Sequence, residues 1–387
     1  MVLYVSTIAL LGFYRPHVTG RSSTIPLAAL GMALIADWNV FATGGLETAL
    51  YTFLIVLGWS LLIDEGRGPR GAAAAGLVFA LAAMTRPEGL MPAGLGALYA
   101  MWARRPRRAL AFGYVGMFLL AWLPYAVWKL AYYGDVLPNT YYAKSAALAW
   151  WSQGWLYTSL FFRKYWVLAA SLPLAALARL MPEAPPSSGG AASRSTADAA
   201  MVLAAALALA QILFVTRVGG DFMFARLLLP AAPFLSILLE YGVARLARRR
   251  LWLEATGGAA ALAALALARD PFPPGQMVGG IVHEWAFYTR SSLEQRRRQG
   301  ESLGHYFSGL PVRIAIVGSQ ASLAWYADPA VAIEAHTGLT DRTVAHLALA
   351  KRGRVGHEKV APIWYLLETR HVNFTLEQVA ATTALAR

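Results

Sequence analysis

Long apolar runs, separated by short polar loops, recur along the first 270 residues of the chain. Several of them reach the length of roughly 17 to 25 residues that a helix needs to cross a bilayer. The 387-residue chain is 57% hydrophobic and 14% charged, with a mean hydropathy of +0.46. A soluble protein carries about a quarter charged residues. The pattern therefore predicts an α-helical polytopic membrane protein.

Ten apolar segments are predicted to be membrane helices. They cover residues 1–14, 24–42, 46–63, 72–84, 89–103, 109–131, 160–178, 200–216, 226–245 and 251–268. The segments 72–84 and 89–103 are short for full crossings and are expected to be tilted or re-entrant.

Basic residues are concentrated in alternate loops, at 15–21, 64–70, 103–108 and 244–250. The net charge of +13 comes largely from arginines in short loops between apolar runs. This distribution is typical of membrane topology signals and does not indicate a nucleic-acid partner. The positive-inside rule places these loops in the cytoplasm. The Pro-, Gly- and Ser-rich stretch 179–199 belongs to the same set and is predicted to be a disordered cytoplasmic loop.

Alternation then places the start of the chain, and everything after residue 268, on the outer side. The first residues lack a basic region and a small-residue cleavage site, so no signal peptide is predicted. Because the first apolar run begins outside, an upstream helix and loop are expected to be missing. A misplaced start codon or a divergent relative would produce the same pattern.

The sequence has no cysteine, which excludes disulfides and thiolate metal sites.

The tail, 271–387, is polar and mixed, and is predicted to be a small extracytoplasmic α/β domain after a membrane domain of residues 1–270. "VRIAIVGS" (312–319) and "AVAIEA" (330–335) are typical of strands. "SSLEQRRRQGESLGHYF" and "APIWYLLETR" have helical spacing. The first strand runs into a Gly/Ser turn without a G-x-G-x-x-G pattern, so a nucleotide site is not predicted.

Four loops predicted to face outward each carry a carboxylate, and three of them carry Arg or Lys. Their notable residues are Glu47; Arg86 and Glu88; Asp135, Asn139, Tyr141 and Lys144; and Arg217, Asp221 and Arg226. Guanidinium groups bind phosphate bidentately, and carboxylates act as general bases or bind sugar hydroxyls. The set therefore favours an enzyme that acts on a phosphate-bearing lipid.

Each loop alone also has a structural interpretation. Glu47 fits a helix-start carboxylate, the tyrosines fit an interfacial aromatic belt, and Arg217, Asp221 and Arg226 fit a buried ion cluster. Asp37 lies in an apolar segment and is predicted to line an internal cavity.

Five strings, in this order, resemble one branch of the GT-C membrane glycosyltransferases. They are "TGGLETALYTFL", "MTRPEG", "YYGDVLPNTYYAK", "GGDFMFARLLLP" and "HTGLTDRTVAH…RVGHEKVAPIWYLLE", within residues 37–368. The branch contains the terminal arabinofuranosyltransferases of mycobacterial cell walls and bacterial proteins described as flagellar motor control proteins.

The resemblance implies a GT-C fold in a bacterial inner membrane. It also implies a polyprenyl-phosphate sugar donor and transfer to a glycan or lipid-linked acceptor on the outer face. The tail strings single out Asp341, His357, Glu358 and Lys359, either as acceptor contacts or as hydrogen bonds internal to a folded domain.

GT-C enzymes hold their catalytic carboxylate on a first outer loop that has no counterpart here, so the base is not carried over. Either the given sequence is a truncated form of a longer protein, or another carboxylate such as Glu47 has this role, or the protein is inactive. Inverting transfer is expected, with a carboxylate base and cationic groups on the leaving phosphate. The candidates for catalysis are Glu47, Asp135 and Asp221; those for phosphate binding are Arg86, Lys144, Arg217 and Arg226; and those lining a cavity or acceptor site are Asp37, Glu88, Asn139, Tyr141, Asp341, His357 and Glu358.

The glycine pair Gly219–Gly220 is expected to be a flexible turn that a phosphate approaches, with Asp221 aiming an arginine. A divalent metal is possible, although no His/carboxylate cluster has ligand spacing in the membrane part. A non-enzymatic membrane assembly factor and a lipid-linked sugar transporter are the rival functions. A transporter is expected to show two related halves with broken helices, and no internal repeat is found.

Overall fold

The computed structural model describes residues 1–19, 25–102, 107–181, 190–247, 250–317 and 321–376, and all structural statements below refer to these. They form two compact units. The first unit contains Met1–Val136, Trp151–Gly220 and Ala225–Pro271. The second contains Leu137–Trp150, Asp221–Phe224 and the described part of Phe272–Arg387. The second unit thus includes two short segments that lie outside the predicted tail domain.

The described chain is mostly helical. In chain order the helices are α1 (Val2–Thr19), α2 (Leu27–Leu34), α3 (Ala36–Thr43), α4 (Thr48–Ile63), α5 (Gly68–Thr85), α6 (Leu90–Trp102), α7 (Arg107–Tyr133), α8 (Asn139–Ala143), α9 (Trp151–Lys164), α10 (Trp166–Ala169), α11 (Ser171–Leu180), α12 (Gly190–Val218), α13 (Ala232–Leu246), α14 (Leu251–Ala266), α15 (Arg290–Phe307), α16 (Ala321–Ala327) and α17 (Arg342–Ala345). Of these, α8 and α15 to α17 belong to the second unit.

Among the described residues, three helical stretches are long and apolar enough to cross a membrane. They are Arg108–Tyr133, Ala197–Val218 and Leu229–Leu246. The number rises to five if two bent pairs, α3 with α4 and α9 with the stretch Trp166–Leu180, each count as one span. The chain thus has the apolar helices of a membrane protein, but the predicted number of ten spans is not confirmed.

Two predicted segments are broken in the structure. Segment 24–42 forms α2 and α3, because Ile35 between them is extended (ψ 100°). Segment 160–178 is divided among α9, α10 and α11, with a bend of 108°. The breaks at Ile35 and Tyr165 contain neither glycine nor proline, whereas Pro173 follows the break at Ala170 by three residues.

Part of the stretch predicted to be disordered is helical. Helix α12 begins at Gly190, so residues 190–199 are helical, while 182–189 lie outside the described residues. Asp198, in this part of α12, is bonded to α13. Its carboxylate accepts a hydrogen bond from the Tyr241 hydroxyl at 2.9 Å and pairs with Arg245 Nη1 at 3.3 Å.

Small residues allow close helix packing in the first unit. A Cβ atom added at Gly154 of α9 would lie 1.7 Å from the Thr216 carbonyl oxygen of α12, and one added at Gly76 of α5 would lie 2.1 Å from the Tyr114 carbonyl oxygen of α7. Thr158 and Thr216 share a hydrogen bond of 2.8 Å at the first of these contacts. Close backbone approach through small residues is typical of helices that pack in membranes.

The second unit is built on a parallel sheet. Strand β3 (Arg313–Ile316) lies between β4 (Val331–Glu334) and β5 (Phe374–Leu376), and a short antiparallel hairpin, β1 (Met277–Val278) with β2 (Ile281–Val282), precedes them. The two predicted strands are thus present, and β5 was not predicted. The residues that pack the main core beside the sheet are Ala315, Ile333, Ala335, Val344, Ala361, Tyr365, Leu366 and Val372.

Candidate functional site

Two guanidinium groups meet one carboxylate in the first unit. Glu47 immediately precedes α4, Arg86 immediately follows α5, and Arg226 follows the α12 region in sequence. Glu47 Oε1 lies 2.8 Å from Arg226 Nη2 and 3.4 Å from Arg86 Nη1, and Arg86 Nε donates to Glu88 Oε1 at 2.6 Å. We call these four residues the Glu47 cluster. The structure thus brings together predicted residues from three separate loops.

Burial within the Glu47 cluster is uneven. The side chains of Arg86 and Glu88 are 9% and 5% exposed, whereas that of Glu47 is 34% exposed. The carboxylate of Glu47 is therefore the most exposed member of the cluster. Removing a buried ion-pair member leaves an unpaired charge, so Arg86 and Glu88 also have a structural role.

One side-chain atom of Arg86 and one of Tyr51 are buried without a hydrogen-bond partner among the described residues. Tyr51 lies one turn beyond Glu47 on α4, and the Arg86 guanidinium carbon is 5.5 Å from the centre of its ring. Arg86 Nη1 and the Tyr51 hydroxyl are buried without a hydrogen-bond partner. A buried polar group without a partner costs about 1–3 kcal/mol. Such groups therefore indicate a place where a ligand or water completes the bonding.

A narrow cavity of about 10 Å³ adjoins Tyr51. It lies among α4, α6 and α12, and its lining is apolar except for Tyr51 and Gln211. Gln211 Nε2 donates to the Leu227 carbonyl oxygen at 2.8 Å, next to Arg226 in sequence. The volume is about that needed by one water molecule.

The predicted grouping of Arg217, Asp221 and Arg226 stays a prediction, although Asp221 and Arg226 each have a partner outside this loop. Asp221 belongs to the second unit, where its carboxylate pairs with Lys144, and the carboxylate bonded to Arg226 is that of Glu47. Arg217 is exposed on the last turn of α12, where a positive charge suits the helix dipole.

The glycine pair has a packing reason. Gly219 and Gly220 both have positive φ angles, 93° and 73°, and end α12. A Cβ atom at Gly220 would lie 2.4 Å from Cγ of Tyr157. Gly220 is buried against this ring, so the absence of a side chain is required for packing, and the approach of a phosphate to this turn stays a prediction.

Asp37 has a cation partner, and the cavity predicted at this position stays a prediction. Lys164 Nζ lies 2.9 Å from Asp37 Oδ2 and 2.5 Å from Asp270 Oδ1. The Tyr165 hydroxyl also donates to Asp37 Oδ2 at 2.7 Å. The side chains of Asp37 and Lys164 are each 5% exposed, so this is a buried ion pair.

The remaining candidates of the loop 132–144 are divided between the units. Asp135 is half-buried in the turn after α7, in electrostatic range of Lys129. Asn139 begins α8 in the second unit, and Tyr141 packs edge to face on Tyr142 with ring centres 5.3 Å apart. None of these contacts adds a charge to the Glu47 cluster.

A second polar cluster lies within the second unit. Lys144 Nζ lies 3.1 Å from Asp221 Oδ1, and the Asp221 side chain is fully buried. The backbone N–H of Phe222 also donates to Asp221 Oδ1, at 2.9 Å. Gly356 has a φ of 76°, and a Cβ atom there would lie 3.3 Å from Lys144 Cε. The glycine of the "RVGHEK" string thus leaves room for the stem of the lysine.

His357 lies in the same cluster. Its ring is edge to face with Phe222 at 4.8 Å, and the centre of the His336 ring is 6.0 Å away. Burial lowers the pKa of His357 from its ordinary value, with Arg354 and His336 acting in the same direction. We call Lys144, Asp221, His336 and His357 the His357 cluster.

The other tail candidates make hydrogen bonds within the unit. Asp341 Oδ1 caps α17 by accepting from Val344 N at 3.0 Å, and its Oδ2 accepts from the Tyr365 hydroxyl at 2.8 Å. The buried carboxylate of Glu358 pairs with Arg352 Nη1 at 3.3 Å. These contacts favour the structural alternative for both residues.

Lys359 has a similar role. Its Nζ donates to the carbonyl oxygens of Tyr142, at 2.8 Å, and Ala345, at 2.5 Å. It therefore connects α8 to the end of α17.

Sequence reasoning missed several members of these clusters. Tyr51 and His336 stand inside the quoted strings, but an aromatic residue in an apolar helix and a lone histidine carry no distinguishing signal. Lys164 lies at the end of an apolar stretch, where a lysine is ordinary. No group of three His, Asp or Glu side chains able to hold a metal is found among the described residues.

Comparison with known proteins places the chain among relatives of one activity. It is 32% identical over 255 residues to the terminal beta-(1->2)-arabinofuranosyltransferase of Mycobacterium tuberculosis, covering 59% of this chain and 39% of that protein. It is 33% identical over 269 residues to the protein of the same name from Corynebacterium glutamicum, covering 62% and 38%.

The chain thus spans about two fifths of the length of these curated relatives. No family model and no solved structure matches it. The resemblance inferred from the five strings is confirmed, since the relatives carry the name of that branch.

Proposed function

We propose that this protein is an integral-membrane glycosyltransferase. It moves a sugar from a polyprenyl-phosphate donor to a glycan or lipid-linked acceptor of the bacterial cell envelope, on the outer face. The names of its relatives specify an arabinofuranosyl group and a β-(1→2) linkage, so the acceptor oxygen is O2 of an acceptor sugar. The observation that carries the proposal is the pair of guanidinium groups on one partly exposed carboxylate.

The charges of the Glu47 cluster suit a leaving phosphate. Two arginines and two glutamates balance, so the cluster is neutral before a ligand binds. Glu47 holds the guanidinium groups of Arg86 and Arg226 close together at the N-terminal end of α4, which itself favours an anion. A phosphate that displaces part of this contact gains charge-assisted bonds from groups already oriented.

The transfer follows from these contacts. The acceptor hydroxyl attacks the anomeric carbon and loses its proton to a base. The bond from that carbon to the phosphate oxygen breaks, and its electron pair stays with the lipid phosphate. Arg86 and Arg226 stabilise the developing charge, and Glu47 positions them; the transition state is oxocarbenium-like, as in other glycosyl chemistry.

The test is sugar transfer by the protein in lipid nanodiscs. Polyprenyl-phosphate arabinofuranose is the donor and a short arabinofuranose oligosaccharide is the acceptor. Product is measured as a mass gain of one pentose on the acceptor, together with release of polyprenyl phosphate. Equal amounts of both products are expected, and no transfer from any polyprenyl-phosphate pentose or hexose would contradict the proposal.

Arg226→Lys is the informative variant, because it keeps the charge and loses the forked donor. Loss of a hydrogen bond to a charged group costs about 1.5–3 kcal/mol, so we expect the donor KM to rise roughly 10-fold to 100-fold. Arg67→Lys is the matched control. Arg67 pairs with Asp64 at 2.8 Å and is 51% exposed beyond the far end of α4. Equal donor KM values in the two variants would remove Arg226 from the phosphate site.

A further inference from the structure

The guanidinium group of Arg86 is held on two sides by residues of the first unit. Its Nε donates to Glu88 Oε1 at 2.6 Å, and its carbon atom lies 5.5 Å from the centre of the Tyr51 ring. A cation within about 6 Å of a ring centre is attracted to the negative face of the ring. Glu88 therefore fixes one edge of the guanidinium group, and the ring of Tyr51 supports its position.

Nη1 of Arg86 keeps its capacity to donate a hydrogen bond. It is buried without a hydrogen-bond partner in the part of the chain that the structure describes, and Glu47 Oε1 lies 3.4 Å from it, in ion-pair range. An anion that moves the Glu47 carboxylate aside meets a donor that is already oriented and already removed from water.

The position of Tyr51 is itself set by α4. Its backbone N–H donates to the Glu47 carbonyl oxygen at 2.9 Å, one helical turn before it, and its side chain is fully buried. The first turn of α4 therefore carries both the carboxylate that pairs with Arg86 and the ring that supports it. Because the helix fixes the spacing of these two residues, the ring stays beside the guanidinium group when a ligand takes the place of the carboxylate.

The Tyr51 hydroxyl has surroundings of its own. It is buried without a hydrogen-bond partner among the described residues, and Tyr51 lines the cavity of about 10 Å³ together with Gln211. One water molecule fits this volume. Since the contact with Arg86 is made by the ring, the ring and the hydroxyl can be tested separately.

We infer that Tyr51 is a positioning residue whose ring aims Arg86 at the leaving phosphate, an inference that rests on the proposed glycosyl transfer. A phosphodiester carries about one negative charge, and the monoester that leaves carries about two near neutral pH. The added charge is the electron pair of the broken bond to the anomeric carbon. Arg86 stabilises it fully only if the guanidinium group is oriented before the charge appears. Tyr51 does not touch the reacting atoms and acts through Arg86.

Tyr51→Leu and Tyr51→Phe separate the ring from the hydroxyl. A buried contact between a cation and a ring is worth roughly 5-fold to 30-fold in an equilibrium constant. In nanodiscs, Tyr51→Leu is therefore expected to bind polyprenyl phosphate weaker by that factor. Tyr51→Phe keeps the ring and is expected to bind within about threefold of native.

Tyr114→Leu is the matched control for the loss of a buried tyrosine ring. Tyr114 lies in α7 of the same unit, is buried, and donates from its hydroxyl to the Ala93 carbonyl oxygen at 2.7 Å. This variant is expected to unfold at a lower temperature and to keep the native Kd for polyprenyl phosphate.

The transfer assay supplies a readout that a structural role would not change. A misaimed guanidinium group loses more in the transition state than in the ground state, so in Tyr51→Leu kcat should fall by a larger factor than the donor KM rises. The acceptor KM should change little. A smaller folded fraction would instead lower the apparent kcat and leave the KM values and the Kd unchanged.

Additivity tests whether Tyr51 acts through Arg86. Arg86→Lys keeps the charge but loses the planar fork, so adding Tyr51→Leu to it should weaken binding by a smaller factor than in the native protein. In Arg226→Lys the effect of Tyr51→Leu should equal that in the native protein. Equal effects in the native protein and in Arg86→Lys would overturn the inference, as would a Tyr51→Phe variant that binds as weakly as Tyr51→Leu.

The outcomes separate the two proposals. If the native protein binds polyprenyl phosphate but transfers no sugar, the proposed function fails, while the Kd values still report whether Tyr51 aims Arg86 at a phosphate. If the native protein neither binds nor transfers, both fail. If the native protein transfers sugar and Tyr51→Leu binds and transfers within about threefold of it, only the inference fails.

Discussion

Replacing Glu47 by glutamine is expected to tighten the binding of a lipid phosphate to the first unit. The amide keeps the size of the side chain but removes the negative charge that competes for Arg86 and Arg226. Glu47 Oε1 lies 2.8 Å and 3.4 Å from their terminal nitrogens, so an anion bound to the same groups approaches the carboxylate closely. Removing this repulsion should more than offset the loss of one ion-pair partner.

The size of the effect follows from Coulomb's law. A phosphate bonded to both guanidinium groups lies roughly 5 Å from the carboxylate, where unit charges repel by about 3 kcal/mol at an effective dielectric of 20 and by under 1 kcal/mol in water. Glu47 is 34% exposed, so solvent screening favours the lower part of this range. A gain of about 1–2 kcal/mol corresponds to roughly 5-fold to 30-fold tighter binding.

The assay is the Kd of polyprenyl phosphate for the protein in nanodiscs, measured at low salt. Glu65→Gln is the control, since Glu65 lies just beyond the far end of α4 from Glu47. The difference between the two variants should shrink in high salt, because partly exposed charges are screened. Unchanged or weaker binding by Glu47→Gln would show that these guanidinium groups do not hold the phosphate.

Three further predictions concern packing and charge. Gly154→Ala is expected to lower the melting temperature, because overpacking costs about 1–3 kcal/mol. Gly116→Ala in α7 is the control, since an added Cβ atom there meets no atom within 4 Å, and it should stabilise its helix by up to about 1 kcal/mol. Lys164→Met should lower the free energy of unfolding by about 3–5 kcal/mol, and adding Asp37→Asn should recover part of this loss, because the two residues form a buried ion pair. Because burial lowers the folded-state pKa of His357, its contribution to stability is complete above about pH 6.5 and decreases as the pH falls below that value. Urea unfolding of the native protein should show this loss, and His357→Gln should reduce it.

That the loops carrying Glu47, Arg86 and Arg226 face one side of the membrane is a prediction from topology, and the pairing of Glu47 with Arg226 was not predicted. Alternation of basic and non-basic loops places Glu47, Arg86 and Arg226 at the same ends of their helices, and charged groups there are expected to pair. The two predicted strands were found for a comparable reason, since each is a short apolar run bounded by turns. Local apolar patterns and the charge of the loops therefore predict where strands occur and which residues share one side of the membrane.

Contacts between distant residues could not be predicted. The break at Ile35 has no local signal, and the Asp37 carboxylate that follows it is satisfied by Tyr165, 128 residues away. Asp221 and Arg226 are five positions apart, yet their partners come from different parts of the chain. Periodicity reports which face of an element is apolar, and it does not report which polar side chains meet.

The pairing of Lys144 with residues far along the chain bears on the order of folding. The ammonium of Lys144 pairs with Asp221, which is synthesised 77 residues later. The methylene chain of Lys144 packs against Gly356, which is synthesised later still. The Tyr142 carbonyl oxygen accepts a hydrogen bond from Lys359, which lies 217 positions further along the chain. Such long loops make closure slow and late. Synthesis from the N-terminus therefore releases α8 long before its partners exist, and the second unit can assemble only after residue 359 has been made. A ribosome-bound intermediate stopped before that point should leave α8 open to protease, even where the helices of the first unit have already packed.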